Sequence, residues 1–110
     1  MNGIKIRGTG RSVPGKLVTT RDLEKIVETS DEWITARTGI RSRHHCAEGE
    51  RISAITAEAA RRCLADAGIG PEEIGACIVA TATRETLGPS AACALQRDLG
   101  LPEDIPCFDL

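Results

Sequence analysis

The run Cys77-Ile78-Val79-Ala80-Thr81 is short, β-branched and apolar throughout. Strands buried on both faces of a parallel sheet carry this pattern, and such a sheet needs helices to cover it. The flanking sequence supplies them. Ile52, Ile55, Ala59, Ala60, Cys63, Leu64 and Ala67 step by three and four residues, which gives one apolar face of a long helix starting near Ser53 and closing at Gly68. Pro71 to Ile74 reads as a turn or a single helical turn. Pro89-Ser90 introduces a second helix through Leu99, with Gly100 as its stop. Ile105-Pro106-Cys107-Phe108 then begins another strand. Strands alternating with helices predict an α/β fold with a largely parallel sheet.

Upstream, Ile4 to Ile6 is a short apolar run halted by Gly8-Thr9-Gly10, and it predicts a buried strand. The two glycines do not make a phosphate loop. The third glycine of the dinucleotide fingerprint is missing, and Pro14 stands where the helix would begin. Thr19-Thr20-Arg21-Asp22 has the form of a capping box, with Leu23, Ile26 and Val27 following at helical spacing. A second such box, Thr29-Ser30-Asp31-Glu32, opens another short helix that Gly39 is placed to end. Ile40 to Cys46 is too basic for a central strand and predicts an exposed strand or loop. At 110 residues the chain has room for one domain, residues 1–110, with no repeat or linker.

Composition narrows the function classes. One Phe, one Trp and no Tyr leave Ile, Val, Leu and Ala to fill the core. Such side chains bury less surface each, so the chain is expected to lean on another subunit or on further chain. A net charge of −2 with interspersed signs offers no nucleic-acid footprint. No stretch is apolar enough for a signal peptide or a membrane span, which makes the cytoplasm the default compartment. Cys46, Cys63, Cys77, Cys93 and Cys107 have no Cys-x-x-Cys spacing, and most of them read as buried thiols. His44 and His45 adjoin Cys46, but neighbours on an extended segment point to opposite faces and chelate poorly, so no metal site is expected.

Trp33 and Arg37 lie four residues apart on the second short helix and share a face. An indole beside a guanidinium can serve as a stacking platform with a cationic rim, suited to a nucleobase and its phosphates. Thr29 offers a hydroxyl close by. From spacing alone the plainer reading stays open: Trp33 anchors a core and Arg37 lies over its ring.

The order of residues says more. Thr29-Ser30-Asp31-Glu32-Trp33-Ile34, then Arg37-Thr38-Gly39-Ile40 and Arg43, resembles the hallmark segment of β-ketoacyl-acyl-carrier-protein synthase III enzymes. Further matches follow in the same order: Gly8-Thr9-Gly10 with Pro14, Val79-Ala80-Thr81, Pro89-Ser90-Ala91-Ala92-Cys93 with Gln96, and Phe108-Asp109. The resemblance covers essentially the whole chain and points to the amino-terminal part of such an enzyme. It implies a thiolase-like fold, of which this chain holds the amino-terminal part of the first βαβ-rich half with an incomplete sheet. It also implies a homodimer that takes an acyl group from acyl-CoA onto a cysteine and condenses it with malonyl-acyl carrier protein. That reaction starts fatty-acid synthesis, with a coenzyme A thioester as substrate and no permanently bound cofactor. Matched position by position, Trp33 stacks on the CoA adenine with Thr29 beside it. Arg37 reaches the CoA phosphates, and Thr38 adjoins that site.

The resemblance also implies what is lacking. In the family the nucleophilic cysteine follows the Phe-Asp pair by a few residues, and the assisting His and Asn lie further on. No catalytic residue is therefore expected between Met1 and Leu110, and the chain alone is expected to be inactive. None of the five cysteines matches the nucleophile: Cys107 precedes Phe108 and Cys93 lies within the preceding helix, so both read as structural. The residue before Pro89, here Gly88, matches the one that projects into a partner subunit's acyl pocket, and Ala82 matches a pocket-wall threonine. Both are small, so the pocket is either longer than an acetyl group needs or is filled by Leu87. Two other readings share these residues: an acyl-CoA condensing enzyme of secondary metabolism, and a non-catalytic CoA-binding or dimerisation unit.

Overall fold

The computed structural model describes residues 3–110. They form two compact units, one of residues 13–50 and one of residues 3–12 with 51–110.

In the smaller unit, strand β1 (Lys16–Thr19) pairs antiparallel with β2 (Ser42–His45), placing Val18 opposite Arg43. The exposed strand expected in 40–46 is thus present, and it pairs with a strand, β1, that the sequence pattern does not announce. Thr19 ends β1 and caps α1 (Thr20–Leu23). Its hydroxyl accepts the Asp22 N–H at 3.2 Å, and the Asp22 carboxylate accepts the Thr19 N–H at 3.0 Å. The Thr19 hydroxyl, the Thr19 N–H and Lys25 together hold the Asp22 carboxyl down from its ordinary 3.8 to about 2. The capping box is therefore as expected, but the helix does not run on through Ile26 and Val27, which are exposed. The Lys25 and Ile26 N–H groups bond three residues back, tightening the chain into a turn, and the Glu24 carboxylate reaches forward to the Asp31 N–H at 2.6 Å.

Helix α2 (Asp31–Thr38) follows, and Gly39 closes it in the left-handed region at φ 69°. Ser30, one residue later than the expected Thr29, is the cap, its Oγ accepting the Trp33 N–H at 3.1 Å. Thr20 is the most buried residue of this unit. Its hydroxyl donates to the Asp31 carboxylate, and its N–H bonds to the Arg41 carbonyl at 3.1 Å.

The larger unit carries α3 (Ile52–Ala67), a 3₁₀ turn (Pro71–Glu73), β3 (Cys77–Val79), α4 (Ala91–Leu99) and β4 (Cys107–Asp109). Strands β3 and β4 are parallel, with Cys77 opposite Cys107 and Ile78 opposite Phe108. Helix α4 covers one face of this pair. Cys77, Ala92 and Leu101 form the buried cluster, with Ile74, Val79, Leu95, Leu99 and Ile105 against it. The other face is open, leaving Ile78 and Phe108 exposed. The strand at 77–81 is therefore not buried on both faces as its composition suggests, because among the described residues nothing covers the second side.

Two further expectations change. Ile4 and Ile6 are exposed and belong to no strand. The residues after them instead bond to side chains of α3: the Thr9 N–H to Asp66 at 2.9 Å, and the Arg11 carbonyl to Arg62 at 2.9 Å. In α3, Ala57 is more deeply buried than any residue of the predicted face, and Ile52 is exposed. A helix with alanine on several sides can be approached from several sides. Gly8 and Gly10 are the means on one of them. A Cβ at Gly8 would lie 2.6 Å from the Ala67 nitrogen, and one at Gly10 would run into the Ala59 carbonyl and the Cys63 nitrogen.

Those collisions are with helix backbone, which cannot step aside. Gly10→Ala is expected to destabilise the protein by roughly 1–3 kcal/mol, the usual cost of overpacking. Gly75→Ala, which meets nothing within 4 Å, serves as the control in the same thermal melt. Equal melting temperatures for the two variants would refute the packing described.

Candidate functional site

Helix α2 positions the motif. Ser30 fixes its start, Asp31 and Glu32 sit in its first turn and Arg37 in its last, an arrangement that suits the helix dipole. One helical turn separates Trp33 from Arg37, and the guanidinium carbon lies 5.1 Å from the centre of the indole ring. Ile34 turns inward and is buried, whereas Trp33 is 56 % exposed. In this chain the indole is not a core anchor. It presents a partly exposed flat apolar surface beside a cation, an arrangement suited to stacking.

The two threonines differ. Thr38 hydrogen-bonds within the helix end, donating to the Ile34 carbonyl at 2.7 Å and accepting the Ile40 N–H at 3.0 Å. Its hydroxyl is already committed to closing α2. Thr29 is half-buried and, with Ser30 acting as cap, its hydroxyl is not needed by the helix.

Ala82, Leu87 and Gly88 lie in the larger unit, on the segment joining β3 to α4. All three are exposed, Leu87 completely so, and a Cβ on Gly88 would meet nothing within 4 Å. Leu87 therefore closes no gap within this chain. Beside these residues is a cavity of about 270 Å³. It opens where the carboxyl end of β3 meets the amino ends of α3 and α4, the crevice in which open α/β sheets bind ligands. Thr81, Thr83, Thr86 and Pro89 line it, and Ala82, Leu87 and Gly88 do not.

Charged groups frame that cavity, and sequence reasoning did not single them out. The Asp109 carboxylate accepts the Ala91 N–H at 2.9 Å and the Ala92 N–H at 2.8 Å, and Arg84 Nε lies 3.3 Å away. Those two N–H groups, with a smaller contribution from Arg84, hold the carboxyl below its ordinary range. Glu85 accepts the Ser53 N–H at 3.0 Å and pairs with Arg51 at 3.4 Å, which lowers its carboxyl likewise. Nothing in the spacing of these residues signals the contacts, which join positions 17 to 34 residues apart.

Among the cysteines, burial pushes the Cys77 thiol up, with the neighbouring Cys107 thiol adding to it, the opposite of what a nucleophile needs. All five cysteines are free. Among the described residues no group of His, Cys, Asp and Glu is arranged to hold a metal ion, and no helix is long and apolar enough to cross a membrane.

No family model matches the chain. Known proteins match it along its whole length. The β-ketoacyl-[acyl-carrier-protein] synthase III of Neisseria gonorrhoeae is 50 % identical over 110 residues, which is all of this chain and 34 % of that protein. The crystal structure of 3-oxoacyl-[acyl-carrier-protein] synthase III from Aquifex aeolicus superposes with a TM-score of 0.87 at 44 % identity, covering 98 % of this chain and 34 % of that one. The priming β-ketosynthase of the R1128 polyketide pathway superposes with a TM-score of 0.83 at 34 % identity, covering 96 % and 31 %. The chain thus resembles the amino-terminal part of synthase III enzymes, has the thiolase-like α/β fold of that part with small incomplete sheets, and spans about a third of the length of the curated relatives it matches.

Exposure of the indole has a measurable consequence. Trp33→Ala is expected to change stability by less than about 0.5 kcal/mol, as surface substitutions do, against roughly 3–5 kcal/mol for emptying a buried tryptophan site. Denaturant unfolding of the two proteins separates the cases, and a loss in the larger range would return Trp33 to a core.

Proposed function

We propose that this chain is the amino-terminal segment of an acyltransferase of the synthase III type, which condenses an acyl-CoA primer with malonyl-acyl carrier protein. The observation that carries the reading is the exposed Trp33 with Arg37 5.1 Å from its ring centre. The pair stands in a sequence 50 % identical to a named synthase III along the full chain. Trp33 takes the adenine of coenzyme A on its exposed surface, and Arg37 meets the phosphates through charge-assisted hydrogen bonds. Thr29 stands beside them with its hydroxyl available, and Thr38 supports the site by closing α2.

In this reading the acyl thioester is attacked by a cysteine thiolate lying beyond Phe108-Asp109. The acyl group passes to that sulfur and coenzyme A leaves as its thiol. A His and an Asn then assist decarboxylation of the malonyl unit, and the resulting carbanion takes the acyl group. None of these groups is among Cys46, Cys63, Cys77, Cys93 and Cys107, so the 110-residue chain binds but does not catalyse. The complete protein is a homodimer acting in the cytoplasm, with no bound cofactor. Gly88 of one subunit faces the partner's acyl pocket, and with Ala82 it leaves room for more than acetyl.

A second reading has support in the likeness to the R1128 priming β-ketosynthase: an acyl-CoA condensing enzyme of secondary metabolism. The CoA platform is common to both. Acyl preference and the identity of the carrier protein separate them.

In the full-length protein, Trp33→Ala and Arg37→Ala are each expected to weaken acyl-CoA binding, the first by about 1–3 kcal/mol. Transfer from an already acylated enzyme to malonyl-acyl carrier protein should be spared. Unchanged affinity in Trp33→Ala, read by calorimetry, would refute the platform. Incubated with labelled acetyl-CoA, the 110-residue chain is expected to take up no label, and stoichiometric acetylation of Cys93 or Cys107 would overturn the assignment of those thiols.

A further inference from the structure

The segment between β3 and α4 has no regular structure, yet two of its neighbouring residues are fastened in different directions. Arg84 reaches Asp109 at the end of β4, and Glu85 reaches the start of α3. Each anchor also stands at a helix amino end. Asp109, its side chain only 2 % exposed, bonds the first two N–H groups of α4. Glu85 bonds the Ser53 N–H of α3, whose flanking Arg51 provides no side-chain cap. Arg84 and Glu85 both line the cavity of about 270 Å³, as do Ser53 and Ala91 at the amino ends of α3 and α4.

The strengths of the two arms differ. Arg51 and Glu85 are a surface pair, and such pairs hold little by themselves. The bond from Ser53 N–H to the Glu85 carboxylate is charge-assisted and directional, so it fixes position. On the other side Asp109 keeps two backbone partners whether or not Arg84 is present, and losing Arg84 releases the segment without orphaning a buried charge.

We propose that Arg84 and Glu85 form a clasp that holds the wall of this cavity, and that the clasp, more than the bulk at Ala82, Leu87 or Gly88, decides which acyl chains the cavity admits. The assignment of acyl chains rests on the synthase III reading above; the clasp itself does not. With both arms closed, Thr83 and Thr86 are held against the cavity and keep it narrow. With either arm open, the wall can withdraw and longer chains gain entry.

The test uses the full-length protein and its Arg84→Ala, Arg84→Lys and Glu85→Gln variants. Hydrogen exchange of the peptide spanning 82–90 is expected to quicken about tenfold in Arg84→Ala and in Glu85→Gln, and to stay near the parent rate in Arg84→Lys. Comparing kcat/KM for octanoyl-CoA and acetyl-CoA, the ratio is expected to rise roughly tenfold in Arg84→Ala, through KM more than kcat, and to return in Arg84→Lys. Unchanged exchange in both loosened variants overturns the clasp. Quickened exchange with an unchanged acyl ratio overturns its role in selectivity. Quickened exchange in a protein whose parent transfers no acyl group from any thioester supports the clasp and refutes the synthase III reading instead.

Discussion

Ala92 has no exposed surface, and that single alanine sets how close α4 comes to the β3–β4 pair. With Cys77 and Leu101 it forms a core of small side chains, so the backbones of helix and strand approach one another closely. Close approach brings the end of β4 within reach of the start of α4, and there the Asp109 carboxylate takes two N–H groups that would otherwise be unpartnered. The same poverty of bulk recurs where Gly8 and Gly10 lie against α3. A core with few aromatics holds its elements by proximity and by polar bonds at their ends, since each buried side chain contributes little apolar surface.

The two units obtain those polar bonds differently. In the smaller one the caps are local: Thr19 and Asp22 close on each other, and Ser30 serves the N–H three residues on. In the larger one Ser90 still serves the Cys93 N–H locally, but two further caps are distant. Glu85 caps a helix that begins more than thirty residues earlier, and Asp109 caps one that begins eighteen residues earlier. A local cap is written in adjacent letters and can be read. A distant cap exists only once the chain has folded, because any acidic residue would serve if the fold delivered it.

This difference explains what the sequence made legible. The stops of α2, α3 and α4 at Gly39, Gly68 and Gly100 could be read because a left-handed residue is needed there and glycine adopts it without strain. The pair Cys77–Val79 and Cys107–Asp109 was visible in composition, as was the shared face of Trp33 and Arg37. The strand expected at Ile4–Ile6 was not realised, since an apolar run specifies a strand only if a partner edge is offered. Nor is β1 legible: Lys16–Thr19 is mostly exposed, and its pairing with β2 depends on an edge that its own residues do not announce.

Exposure also needs a second observation before it means anything. Trp33, Ile78, Phe108 and Leu87 are all exposed large apolar side chains. Ile78 and Phe108 stand together on the open face of a two-stranded sheet, where further packing is the ordinary use of such a surface. Leu87 stands alone. Only Trp33 has a cation set against its ring, on a helix whose amino end is capped and whose inward face is anchored by Ile34. A rigid support beneath an exposed ring is what recognition of a flat ligand requires, because the ring then loses little further freedom on binding. For that reason the same physical fact, an apolar side chain left in water, argues for a binding surface at Trp33 and for an unfinished core at Ile78.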